Sequence, residues 1–334
     1  MVGACHAQEM ETVDPSDFYT GLVAQLYSPL RGSDAPDPKP YAAFIAASGE
    51  PALELGCGDG DPLLQLRARA LDVEGLDSTA DMLARLRERA EAQGLDVVVH
   101  HSTIEAMELR RRYRSIFLAG PTFNLLPDDD TVWHALDRIR THLEPGGGAL
   151  IPLFVPKRTE RVAFGVARAH TAEDGSEMRV TALSETRDVA NRLQVTVLRY
   201  ELETPDGETT TEDRPWVLHW HTQDGFRSLA EEAGLTVTAV LAPDGSPVGP
   251  DDTVFVFWLE PDPAWDAPRT SRPKSGGGAV MAAAMFGLEQ AMYGERPKVE
   301  VVAEAEADGL DLGDIDLDLD DPARSTMTVQ EDDV

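Results

Sequence analysis

Short apolar runs that end on glycine or a carboxylate alternate with stretches of helical period through the first half of the chain. Ala52-Leu53-Glu54-Leu55 is one such run, followed at once by Gly56, Gly58 and Gly60. Residues 73–76, 96–100 and 115–119 read as further strands, the first ending on Asp77. Between them, residues 62–70, 78–93 and 128–143 have helical spacing, with Met82, Leu83 and Leu86 on one face of the second. Asp61 and Pro62 stand where an N-cap and a first helical residue would. Upstream, residues 18–27 and 41–48 read as helices on either side of a loop at 31–40. Strand–helix alternation of this kind predicts a mostly parallel sheet with helices on both faces.

From residue 178 the pattern becomes the alternation of antiparallel strands. Residues 178–187, 193–203 and 216–221 read as strands, with Pro205-Asp206-Gly207 as a hairpin turn. A helix at 222–233 and strands at 235–241 and 253–259 then resume the first pattern.

The glycine run is where chemistry enters. Glycine admits positive φ and lets backbone N–H groups approach a ligand closely. Asp61 occupies the place of the third glycine of a nicotinamide dinucleotide loop, so that assignment fails. Asp77 lies about 20 residues beyond Gly56, where such a unit sets a carboxylate against ribose hydroxyls. The segments ELGCGDG and GLDSTADMLARLRERA, the strand at 115–119, the helix at 128–143 and the turn Leu143-Glu144-Pro145-Gly146-Gly147 occur in this order. Together they resemble the class I S-adenosylmethionine-dependent methyltransferases.

The resemblance implies an α/β fold: a Rossmann-like, seven-stranded, mostly parallel sheet with helices on both faces, plus an antiparallel β insertion roofing the active site. Lid helices would occupy 1–50 and the S-adenosylmethionine-binding domain 51–260, with its insertion at about 176–221 as in glycine/sarcosine-type enzymes. A linker would cover 261–278 and an acidic tail 279–334. Carried over residue by residue, Glu54, Gly56, Cys57, Gly58, Gly60, Asp77, Ser78, Met82, Thr103, Ile104 and Gly120 would hold S-adenosylmethionine. Tyr19 and Tyr27 would reach it from the lid, or simply hold the lid down as core aromatics. Thr103 stands where the family has an acid beside the adenine amine, and Glu105 is the alternative acid.

For the transfer itself, Phe123 and Asn124 are candidates to orient the acceptor, Asn124 being equally a turn cap. His219 is the candidate base and Arg214 a candidate carboxylate binder. His219 shares a strand face with His221, and Trp216 and Trp220 share the other. The histidines are scattered and the cysteines unpaired, so no metal site is expected.

Composition narrows the partners. A net charge of −31 argues against nucleic acid and anionic membrane surfaces, and no apolar run approaches a membrane span. Two cysteines, Cys5 and Cys57, make a disulfide framework improbable; with no signal peptide pattern, a cytoplasmic location is expected. Much of the acidity lies beyond Ser275, where acids alternate with Leu, Ile and Val after an apolar stretch at 279–292 that could form a helix. That tail reads as a disordered, solubilising segment or as a docking segment for a protein or peptide partner. Three functions follow: methyl transfer to nitrogen or oxygen of a small molecule, peptide tailoring with the tail as the dock, and a non-catalytic scaffold. Intact Glu54, Gly56, Gly58, Gly60 and Asp77 argue against the last.

Overall fold

A computed structural model describes residues 18–32 and 35–265, and two short strands at 315–316 and 326–327. Two helices, α1 (Gly21–Arg31) and α2 (Pro38–Ser48), precede the first strand. Then β1 (Ala52–Leu55), α3 (Leu63–Ala68), β2 (Val73–Asp77), α4 (Ala80–Ala92), β3 (Val99–His101), β4 (Tyr113–Phe117), α5 (Asp129–His142) and β5 (Leu143–Phe154) follow. An insertion of β6 (Ala167–Thr171), β7 (Glu177–Asp188), β8 (Leu193–Glu203) and β9 (Thr209–His219) comes next. The chain returns through α6 (Gln223–Glu232), β10 (Leu235–Leu241) and β11 (Val254–Pro261).

Seven strands form one sheet in the order β10-β11-β5-β4-β1-β2-β3. Neighbours from β3 to β5 run parallel, whereas β11 is antiparallel to both β5 and β10. β1 and β2 are buried along their whole length, as expected of strands covered on both faces. The insertion forms a separate four-stranded antiparallel sheet, β6-β7-β8-β9. The fold class is the expected one.

α1 supplies the core of this second sheet. Leu22, Leu26 and Leu30 recur every four residues and, with Phe18 and Val23, pack against Met178 and Tyr200.

Several boundaries differ from the expectation. α3 starts after Pro62, and Asp61 does not cap it: its carboxylate pairs with Arg31 (2.7 Å) and Arg89 (2.9 Å). Two charge-assisted bonds outweigh one cap bond. α1 lies later than the 18–27 expected, running to Arg31. β6 was not foreseen, because all five of its residues are exposed and leave no apolar alternation to read. β9 begins at Thr209, not Trp216, its first half being polar on both faces.

The linker from 266, the stretch at 279–292 and most of the acidic tail lie outside the described residues. Within the tail, β12 (Ile315–Asp316) and β13 (Thr326–Met327) pair antiparallel with each other. Among the described residues, no helix is long and apolar enough to cross a membrane.

Candidate active site

Strand order reverses between β1 and β4, so their carboxyl ends border a crevice where ligands of open α/β sheets gather. The loop leaving β1 turns at Gly56 with φ of 66°, and a Cβ there would lie 2.9 Å from Thr122. Only glycine fits both limits. At the end of β2, Asp77 accepts from Gly58 N–H through Oδ2 (2.8 Å) and from Thr79 N–H through Oδ1 (2.8 Å). Burial pushes its carboxyl up, and these two bonds pull it back. With the Thr79 side chain as a further donor, the carboxylate keeps one lone-pair position for a ligand hydroxyl.

A cavity of about 370 Å³ opens in front of this loop, of a size for a small organic ligand. Tyr19, Tyr27, Gly56, Gly58 and Asp77 line it, as do Ser78, Met82, Thr103 and Ile104. Glu105 lines it too, with Oε2 buried and unpartnered. The turn after β4 was expected to contribute Phe123 and Asn124. Thr122, Leu125 and Leu126 face the cavity from that turn instead, and Pro127 and Thr131 extend the wall. A one-turn segment exposes alternate sides at a spacing that sequence alone does not fix.

Four expected cofactor residues do not line the wall. Cys57 is 2% exposed; its Sγ lies 2.7 Å from where a Cβ on Gly75 would be, and burial pushes the thiol well up. It is a packing residue. Gly60 abuts Leu64 and Leu86, and Gly120 lies just short of the cavity turn, with open space where a Cβ would stand. Glu54 is fully buried beneath the loop, and neither carboxylate oxygen has a hydrogen-bond partner. Burial, and secondarily Asp61, push its carboxyl well above the usual range.

None of the three expected catalytic residues lines the cavity. Asn124 is fully buried: Nδ2 donates to the carbonyls of Phe154 (2.9 Å) and His219 (3.1 Å), and Oδ1 accepts from Phe154 N–H (3.2 Å). It joins the end of β5 to the end of β9, with both amide hydrogens engaged and its side chain fully buried. Phe123 is also buried, 5.7 Å from the Phe226 ring. Arg214 pairs with Glu212 and donates to Thr20 Oγ1 (3.2 Å) at the start of α1. His219 is 3% exposed and turned toward Asp129, with Nε2 3.6 Å from Oδ1. His221 Nδ1 lies at the same distance from that oxygen.

α1 covers the cavity. The Tyr19 and Tyr27 rings meet edge-on at 5.4 Å, and Arg31 donates to the Tyr27 hydroxyl (3.2 Å). Burial pushes both phenols up, so they remain protonated. The helix is fastened to the loop side by Ser28 to Asp59, Arg31 to Asp61, Gly21 N–H to Asp81 (2.8 Å) and Arg85 to the Gln25 carbonyl (3.3 Å).

The wall fits S-adenosylmethionine: it offers the Asp77 carboxylate for hydroxyls and the apolar side chains of Met82 and Ile104 for a flat base, with the unpartnered Glu54 buried beneath the loop. Residues 52–147 match the family model described as a methyltransferase domain. A Streptomyces fradiae protein named dTDP-3-amino-3,6-dideoxy-alpha-D-glucopyranose N,N-dimethyltransferase is 27% identical over 240 residues, 69% of this chain and 90% of the relative. The solved CcbJ methyltransferase of Streptomyces caelestis superposes with a TM-score of 0.60 at 23% identity, covering 74% of this chain and 98% of that one. CalS10 of Micromonospora echinaspora, described as an amino pentose methyltransferase with SAM bound, gives 0.53 at 21%, covering 72% and 98%.

Proposed function

We propose, for a chain that belongs to the class I S-adenosylmethionine-dependent methyltransferases, N-methylation of an amino sugar carried on a nucleotide. The acceptor class rests on the Streptomyces fradiae relative, whose printed name specifies such a substrate and which this chain matches over 90% of its length. One observation carries the site: Asp77, held by Gly58 and Thr79 N–H groups, faces a cavity closed by Tyr19 and Tyr27. S-adenosylmethionine, when bound, supplies a methyl group on a positively charged sulfur.

The chain's residues orient and dehydrate. Asp77 accepts from the ribose hydroxyls, and Met82 and Ile104 sandwich the flat base. Glu105, with its unpartnered Oε2, takes the adenine amine in place of the acid that Thr103 replaces. Glu54 answers the ammonium of the methionine part from beneath the loop. Tyr19 and Tyr27, kept protonated, hydrogen-bond rather than remove protons. α1 excludes water, which favours displacement at carbon by an amine over hydration of that amine.

No base on the wall is needed, because the acceptor enters as the free amine. The rate is therefore expected to rise with pH along the amine's own titration. A cytoplasmic location, drawn from cysteine usage, belongs to this proposal.

Calorimetric titration of S-adenosylmethionine is the first test. Asp77→Ala is expected to weaken binding about 100-fold or more, since hydrogen bonds to a charged group are lost. A folded wild type that binds nothing overturns the assignment. Binding without methylation of any amino sugar nucleotide, read by mass, overturns the acceptor class alone.

A further inference from the structure

The insertion returns to the main sheet through a second cluster of chemical groups that methyl transfer does not use. Asp129, the first residue of α5, meets His219 at the end of β9 and His221 two residues on. One ligand atom from each lies within 4.8 Å of the others. His219 and His221 are 3% and 0% exposed, their rings 4.5 Å apart. Asp129 Oδ1, which faces His219 Nε2 and His221 Nδ1, is buried without a hydrogen-bond partner, a costly state.

Arg192 satisfies only part of this cluster. From the turn between β7 and β8, where its φ is 55°, it reaches Asp129 Oδ2 (2.5 Å) and lies 3.3 Å from His221 Nδ1. Asp129 Oδ1 is left 3.6 Å from one nitrogen of each imidazole. Ligand bonds of about 2.0–2.2 Å in a tetrahedral site set neighbouring donor atoms roughly 3.3–3.5 Å apart. The two carboxylate–imidazole pairs, at 3.6 Å, are close to that spacing, and an ion would draw together the whole set, which spans up to 4.8 Å.

We propose that Asp129, His219 and His221 form a binding site for a zinc-class divalent ion. Two imidazoles and one carboxylate suit zinc, cobalt or nickel rather than magnesium or calcium. Neutral imidazole is the form that binds metal. Asp129 keeps 44% of its side chain exposed, so the ion enters from its side and the fourth position opens there. Its Oδ2 stays with Arg192 as the orienting contact while Oδ1 turns to the ion. Arg192 Nη1 is the competitor that the ion displaces from His221.

The ion would pin the roof to the wall of the cavity. Leu126, Pro127 and Thr131, which flank Asp129 in sequence, line that cavity. Asn124 already ties the same two regions through the His219 carbonyl (3.1 Å). The proposal is independent of the acceptor, and its test involves no methyl transfer.

The full chain, stripped with a chelator, is titrated with Zn²⁺ in excess Mg²⁺, which occupies the acidic tail. One ion per chain is expected, with a rise in the thermal midpoint, and Co²⁺ in its place should give a tetrahedral absorption spectrum. Asp129→Asn, nearly isosteric and partly exposed, and His221→Gln should each weaken binding by about 100-fold. Wild type that takes up no Zn²⁺ overturns the proposal. So does unchanged binding by folded Asp129→Asn and His221→Gln.

Discussion

The two sheets of this protein use their residues in opposite ways. In the seven-stranded sheet, β1 and β2 are buried throughout; of the acids inside them, Glu54 and Asp77 lie at or under the glycine loop, and Glu74 is paired with His100, Arg111 and Tyr113. The four-stranded sheet, none of whose residues lines the cavity, is half-exposed, and its charged groups are paired at the surface, as Arg199 is with Asp213 (2.7 Å). The main sheet has two cores of its own on its two faces. The roof's apolar cluster is completed by α1. The main sheet is covered by helices on both faces, whereas the second sheet, completed by α1, couples its order to the lid over the cavity.

Truncating the shared helix tests that coupling with the largest expected effect. Leu26 is fully buried between α1 and the roof, so Leu26→Ala should cost about 2–5 kcal/mol in urea unfolding. Hydrogen exchange should quicken in α1, β7 and β8 while β1 and β4 keep their protection. Leu53→Ala, fully buried in β1, should weaken protection in the main sheet instead. Uniform loss of protection in both variants would show that the two sheets form one cooperative unit and end the comparison.

The sequence made the main sheet legible because a buried parallel strand and a glycine turn leave local marks. Gly56, Gly58 and Asp77 could be placed from their spacing, and they meet where that spacing put them. The roof was legible only where burial alternates: β7 and β8 were read nearly in full, but exposed β6 was not. Long-range pairings left no trace in the chain. Asn124 reaches a carbonyl 95 residues away, and Asp129 is set beside His219 by the packing of α5 on the end of β9. A residue type in a suggestive segment therefore fixed neither its direction nor its partner, which is why His219, Asn124 and Arg214 read as catalytic and are not on the cavity wall.

Glu54 gives the sharper, smaller test of why the main sheet tolerates an unpartnered acid. Its folded carboxyl is pushed well above the ordinary 4.5 by burial and then by Asp61. A group raised in this way stabilises the fold below its unfolded value and loses that contribution as pH rises toward the folded one. Glutamine resembles the protonated form and does not titrate. Below about pH 4.5, therefore, Glu54→Gln and wild type should unfold at the same urea concentration. Near neutral pH and without ligand, the variant should be the more stable, because the unfolded chain of wild type ionises Glu54 freely while the folded one resists ionising it. Saturating S-adenosylmethionine should reverse the order, since only the carboxylate answers the ligand's ammonium. A ligand-free variant less stable than wild type at neutral pH would mean that Glu54 has a stabilising partner in the apo protein. The contrast between a functional buried acid in one sheet and paired surface charges in the other would then fail.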